Sequence, residues 1–107
     1  MTLVIVDAEN VRRSRWPNLS PEELVARTRA WAQREGHELL IVFDGEPPER
    51  APDLVRAGYA DDEIVRLADT RAGPVWVITS DRALRARLTD TERLLGGGEF
   101  LRVALEG

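Results

Sequence analysis

The sequence predicts an α/β protein, a three-layer α/β/α sandwich with a mainly parallel sheet, on three observations. Residues 2–7, 39–44 and 75–80 are short, nearly continuous apolar runs rich in β-branched side chains. Such runs mark strands covered on both faces rather than on one. Segments of helical period separate them, and strands alternating with helices of this length imply right-handed crossovers and a parallel sheet. Each run also ends in or next to an aspartate, and ligands of parallel sheets gather at the carboxyl ends of the strands.

The first strand, residues 2–7, closes on Asp7. Between it and the second lies a well-marked helix: Ser20 is its N-cap, Pro21 stands in the first turn, Glu23 completes a capping box and Gly36 marks the exit. Leu24, Val25, Thr28, Trp31 and Ala32 form its inner face. The second strand closes on Asp44. Residues 46–52, rich in Pro and Glu, read as a surface turn, followed by a short strand over 53–57. A second helix begins near Asp61 and turns Ile64, Val65, Leu67 and Ala68 inward; a third begins near Asp81 and turns Leu84 and Leu88 inward. Gly96, Gly97 and Gly98 read as a turn, and residues 99–103 as a short closing strand.

The 107 residues and 43% hydrophobic content suit one domain spanning the whole chain. A formal net charge of -4 argues weakly against nucleic acid, although a few placed arginines neutralise phosphates locally while the far face stays acidic. With no Cys, thiol nucleophiles, disulfides and thiolate zinc sites are excluded. All fifteen basic residues are Arg, read as compositional bias. The apolar start is too short to span a membrane and lacks a basic leader, so the expectation is a cytoplasmic protein without a membrane partner.

The placement of the aspartates points to chemistry. Asp7, Asp44 and Asp81 follow or end strands, where a charge is expensive, and Asp61 with Asp62 opens a helix. Topology brings them to one edge, where crowded carboxylates repel one another unless a cation compensates. Mg²⁺ or Mn²⁺ prefers oxygen ligands and works with one or two carboxylates plus substrate phosphates, which suits phosphodiester hydrolysis by activated water. Capping accounts for Asp61 or Asp81 taken singly about as well. Asp53, Asp69 and Asp90 follow no strand and read as surface or capping residues.

Asn10 is within reach of orienting a water or a carboxylate, or forms a turn. Thr79 and Ser80 support the site or cap the third helix, with capping preferred for Ser80. Arg12 and Arg13 after Asp7, with Arg15, and Arg82 after Asp81, with Arg85 and Arg87, form two basic patches suited to RNA phosphates; a solvated helix face explains Arg85 and Arg87 equally well. Trp16 either stacks on a base or, more commonly for a Trp before Pro, covers a core edge. Trp31 and Trp76 read as structural, and His37 as a surface residue without a role.

Val6-Asp7-Ala8-Glu9-Asn10-Val11, Val42-Phe43-Asp44-Gly45, Ala60-Asp61-Asp62-Glu63-Ile64 and Ile78-Thr79-Ser80-Asp81, in that order, resemble the NYN domains of the PIN-like nuclease superfamily, especially the YacP-like branch. The resemblance runs from residue 3 to about 103. It implies a PIN-like sandwich and a Mg²⁺- or Mn²⁺-dependent endoribonuclease. It assigns Asp7, Asp61 and Asp81 as metal ligands, Asp62 as a second ligand or water-positioning group, Asn10 in support and Asp44 near the site. The compact 44–61 segment and the abbreviated C-terminal element depart from the family and bear on the RNA surface. The reading to be tested is therefore an RNA hydrolase. Its alternative is a non-catalytic RNA-binding or protein-interaction module. A phospho-acceptor domain of the response-regulator kind needs a lysine that this chain lacks. A homodimer, an inhibitor protein and the ribosome stand open as partners.

Overall fold

In the computed structural model, which describes residues 1–105, five strands form one all-parallel sheet in the order β3-β2-β1-β4-β5. The strands are β1 (Leu3–Asp7), β2 (Glu38–Asp44), β3 (Leu54–Ala57), β4 (Val75–Ile78) and β5 (Arg93–Leu95). Helices α1 (Ala8–Arg12) and α2 (Pro21–Glu35) join β1 to β2, α3 (Ala60–Thr70) joins β3 to β4, and α4 (Arg82–Arg87) joins β4 to β5. After β5 come α5 (Gly97–Phe100) and a π-helical turn, Leu101–Leu105.

Side chains alternate between the faces of a strand, and the core divides accordingly. Val4 and Val6 of β1 pack with Ile41, Phe43, Leu24, Trp31 and Phe100 beneath α1, α2 and α5. Leu3 and Ile5 pack with Val42, Val77, Ile64 and Leu84 beneath α3 and α4. All five residues of β1 are buried, as a central strand covered on both sides requires. The chain steps outward from β1 to β2 with helices on one face, then crosses back past β1 to β4 and β5 with helices on the other. Right-handed crossovers demand this exchange of faces when the direction of travel reverses. The reversal leaves β1 and β4 as neighbours whose chains leave the sheet on opposite sides.

The best-marked helix follows its local signals. Ser20 caps α2 by accepting the Glu23 N–H at 3.1 Å, and Gly36 ends it in the left-handed region at φ 72°. The five residues assigned to its inner face are all buried. The strand expected at 53–57 and the helices expected near Asp61 and Asp81 are present.

Four expectations are corrected. Residues 99–103 are helical, and the closing strand is Arg93–Leu95, ahead of the glycines. Gly97 is needed for close packing rather than for a turn: a Cβ there would collide with the Ser14 side chain and stand 3.2 Å from the Val11 Cα. Trp16 is 88% exposed and covers no core edge. His37 is half-buried, its ring 5.3 Å from that of Trp31 and 4.8 Å from that of Trp76. Trp31 is buried and Trp76 partly so, both as structural residues.

Gly97→Ala is accordingly expected to destabilise the protein by about 1–3 kcal/mol through overpacking. Gly98→Ala, whose nearest neighbour would be the Ser14 carbonyl at 3.9 Å, is expected to be neutral or slightly stabilising. Urea denaturation of the pair checks this; equal midpoints would refute the close-approach account. Among the described residues no helix is long and apolar enough to cross a membrane.

Candidate active site

The reversal of strand order between β1 and β4 opens a crevice at their carboxyl ends, the position where doubly wound sheets bind ligands. Asp7, the last residue of β1, stands at its floor and is only 5% exposed. Thr79, buried just past β4, donates its hydroxyl to Asp7 Oδ2 at 2.9 Å and accepts the Asp81 N–H at 3.1 Å. One hydroxyl thus joins the β1 carboxylate to the start of α4.

The neighbouring loop is tied down from both sides. Asn10 Oδ1 accepts the Ser80 N–H at 2.7 Å, linking α1 to the β4 exit. Ser80 Oγ accepts the Gly97 N–H at 2.7 Å, linking the same loop to α5. Ser80 therefore does not cap α4, although capping was the role that sequence reasoning preferred for it. Asp81 does, through Oδ1 accepting the Leu84 N–H at 3.0 Å. Asp44 plays the matching part for α3, whose N-terminal Tyr59 offers no side-chain cap: Asp44 Oδ1 accepts the Ala60 N–H at 2.7 Å. The caps use only Oδ1 of each residue, and Oδ2 of both Asp44 and Asp81 has no hydrogen-bond partner among the described residues.

The crevice widens into a cleft of roughly 670 Å³ lined by Asp7, Asp44, Asp61 and Asp81, with Glu9, Asn10, Tyr59 and Ser80 beside them. Among the described residues Arg13 is the only basic one in its wall, which Ser14 and Gly98 complete. Such crowding has an electrostatic signature. Burial, reinforced by the charges of Asp61 and Asp44, raises the Asp7 carboxyl to about 6 against the pull of its bonds from Thr79 and the Asn10 backbone. Asp61 is also raised, first by burial and then by the Asp81 and Asp44 charges. The Tyr59 hydroxyl, 3.5 Å from Asp61 Oδ2, is pushed up chiefly by the charge of Asp61.

Not every expected residue joins the cleft. Asp62 lies outside its wall and pairs with Arg87 at 2.9 Å. Arg12 is engaged by Glu9 at 2.9 Å and by the Leu19 carbonyl at 3.0 Å, bracing α1 against the loop that follows. Arg82 is exposed but not in the wall, and Arg85 reaches the Leu94 carbonyl at 3.4 Å. Tyr59, Ser14 and Gly98 went unrecognised. Tyr59 carried a local signal, an aromatic directly before the Ala60-Asp61 helix start. Ser14 and Gly98 carried none, because only the packing of α5 on α1 brings them to the cleft.

The donor set fits a hard cation. It is all oxygen, its four aspartates face a single arginine, Arg13, in the wall, and its Asp7 carboxylate is shielded from water. Among the described residues no three acidic or histidine side chains form a ready metal cage. Mg²⁺ seldom uses one, since it keeps most of its waters and borrows phosphate oxygens from the substrate. Asp7, Asp61 and Asp81, the ligands expected from the sequence resemblance, all line the cleft. Comparison with protein-family models, curated proteins and solved structures finds no match to this chain, so its likeness to NYN domains stands on the sequence motifs.

Proposed function

We propose that this protein is a metal-dependent endoribonuclease that hydrolyses RNA phosphodiester bonds at the carboxylate cleft, with Mg²⁺ or Mn²⁺ as its cofactor and the cytoplasm as its place of action. The reading is carried by one observation: Asp7, Asp44, Asp61 and Asp81, up to 74 positions apart in the chain, line one cleft at the reversal of strand order. A divalent ion bound there supplies activation of water and neutralisation of the charge that develops on the phosphate.

The chain's own groups set the stage for that chemistry. Asp7, Asp61 and Asp81 would hold the ion. Thr79 fixes the rotamer of Asp7, Asn10 anchors the Ser80 backbone, and the cap by Asp81 Oδ1 leaves Oδ2 available. Arg13 offers a charge to the substrate backbone at the rim. Asp62, held by Arg87, receives no role in the reaction. The four carboxylates would repel RNA in the absence of a cation, so binding and cleavage should depend on the metal together.

Incubation with single-stranded and structured RNA in Mn²⁺ or in EDTA, with mapping of the cut ends, tests the reading. Cleavage is expected in Mn²⁺ alone, and it is expected to vanish in Asp7→Asn and Asp81→Asn variants whose circular dichroism is unchanged. Undiminished cleavage by both variants, or none by the native chain with any divalent ion, overturns the assignment.

A further inference from the structure

The carboxylate cleft has a neighbour beside α5. A second groove of roughly 320 Å³ is lined by Ser14, Arg15, Gly98, Glu99, Leu101 and Arg102. Ser14 and Gly98 belong to the walls of both, so the two adjoin across these residues. The charge changes between them. The cleft is acidic apart from Arg13, whereas the adjoining groove sets Arg15 and Arg102 against the single acid Glu99.

Arg102 is exposed on the π-helical turn and makes no hydrogen bond or ion pair among the described residues. Arg13 touches Glu9 only at 3.4 Å, with its side chain 66% exposed. Both guanidinium groups can therefore take a phosphate without first losing a strong partner. The opposite wall belongs to the other layer of the sandwich, where Tyr59 at the start of α3 is 58% exposed. A solvent-exposed aromatic ring beside an acidic centre offers a stacking face and adds no further charge.

We propose that cleft and groove form one track for single-stranded RNA, in which Arg13 and Arg102 bind phosphates on one side of the reacting bond and the Tyr59 ring stacks a base on the other. The proposal rests on the nuclease reading for the place of the reacting bond. Its physical basis is that carboxylates repel a polyanion everywhere except at a bound cation, so its further anchors must flank them: guanidinium groups on one side and an uncharged ring on the other. A single strand follows because a base must leave its stack to lie on Tyr59, which a duplex resists.

The experiment is fluorescence anisotropy with a single-stranded RNA of about twelve nucleotides, within the span such surfaces cover. Ca²⁺ replaces Mn²⁺, the salt concentration is varied, and a Mn²⁺ cleavage assay is run alongside. Arg102→Ala is expected to weaken binding by about three- to ten-fold and to lower the salt slope by about one. Tyr59→Ala is expected to weaken binding by about five-fold or more, and Tyr59→Phe, which keeps the ring, to bind nearly as the native protein does. Arg66→Ala, on the outer side of α3 and paired only with Glu63, serves as the unaffected control. A duplex of the same sequence is expected to bind more weakly.

Unchanged binding by both Arg102→Ala and Tyr59→Ala, or a duplex bound as tightly as the strand, overturns the track. If the native protein still cleaves RNA in that case, the nuclease reading survives. If the native protein binds as expected but cleaves nothing, the track stands and the nuclease reading falls. Absence of any RNA binding removes both.

Discussion

Asp7→Asn is expected to abolish Mn²⁺-dependent RNA cleavage and, at neutral pH in EDTA, to stabilise the fold by about 1–3 kcal/mol. The two effects share a cause. Asp7 is 5% exposed and its carboxyl is raised from 3.8 to about 6, so the ionised form is disfavoured in the folded protein relative to the unfolded chain. Between those values the native state holds more proton than the unfolded state. The Asp7 contribution to stability is therefore fully present below about pH 4 and is lost as the pH rises through about 6. The full shift corresponds to at most about 3 kcal/mol.

Asn keeps an oxygen for the Thr79 hydroxyl but carries no charge, so this pH-dependent loss disappears. Exposed Glu38 and the half-buried Asp53 and Glu63, each lowered by an arginine, act with the opposite sign in both proteins. The difference between the denaturation curves of native and Asp7→Asn protein thus isolates Asp7. It should be near zero at pH 4 and largest above pH 6, where a rise in Tm of about 5 °C or more is expected. Added Mn²⁺ should raise the native Tm and leave that of the variant almost unchanged. A variant less stable than the native protein at pH 7.5 without metal would refute the electrostatic account of the cleft.

Thr79→Val is the second substitution expected to act strongly. The Thr79 hydroxyl is fully buried and serves two partners, donating to Asp7 and accepting from the Asp81 backbone. Valine nearly matches its shape but leaves a part-buried N–H and a buried carboxylate oxygen each without this bond, at a cost of about 1–3 kcal/mol. Loss of the bond that favours ionised Asp7 should raise that carboxyl above 6 and carry the pH-dependent loss of stability to higher pH. Cleavage should fall about ten- to hundred-fold, the usual scale for losing a group that orients a metal ligand, with partial recovery at higher Mn²⁺. Thr79→Ser, which keeps the hydroxyl, should remain close to native. Paired urea denaturation and Mn²⁺ titration of cleavage check both; a Val variant with native activity would remove Thr79 from the positioning of Asp7.

Both substitutions act at residues whose place was legible before any coordinates. The apolar runs ending at Asp7, Asp44 and Ile78 are strands because their β-branched side chains suit a sheet covered on both faces. The helix from Pro21 to Glu35 is written in its Ser20 cap and Gly36 exit. From these alone the gathering of Asp7, Asp61 and Asp81 at one edge followed, because parallel strands deliver their carboxyl ends to the same side.

Local patterns failed where the deciding contact is distant. Leu94 and Leu95 are too short a run to mark β5, and Gly97 looks like a turn residue until Ser14 is seen against it. Strand order, and with it the crevice between β1 and β4, belongs to the packed sheet.

What the sequence by itself determined is the layered α/β architecture and the edge that carries the acids, because side-chain period and strand direction are properties of local chain. Only the tertiary structure decided which member of each pair serves the cleft: Arg13 rather than Arg12, and Asp61 rather than Asp62. Successive helical residues diverge by about 100° around the axis, so neighbours in sequence face different surroundings. Which of them meets the cleft depends on how each helix is docked on the sheet.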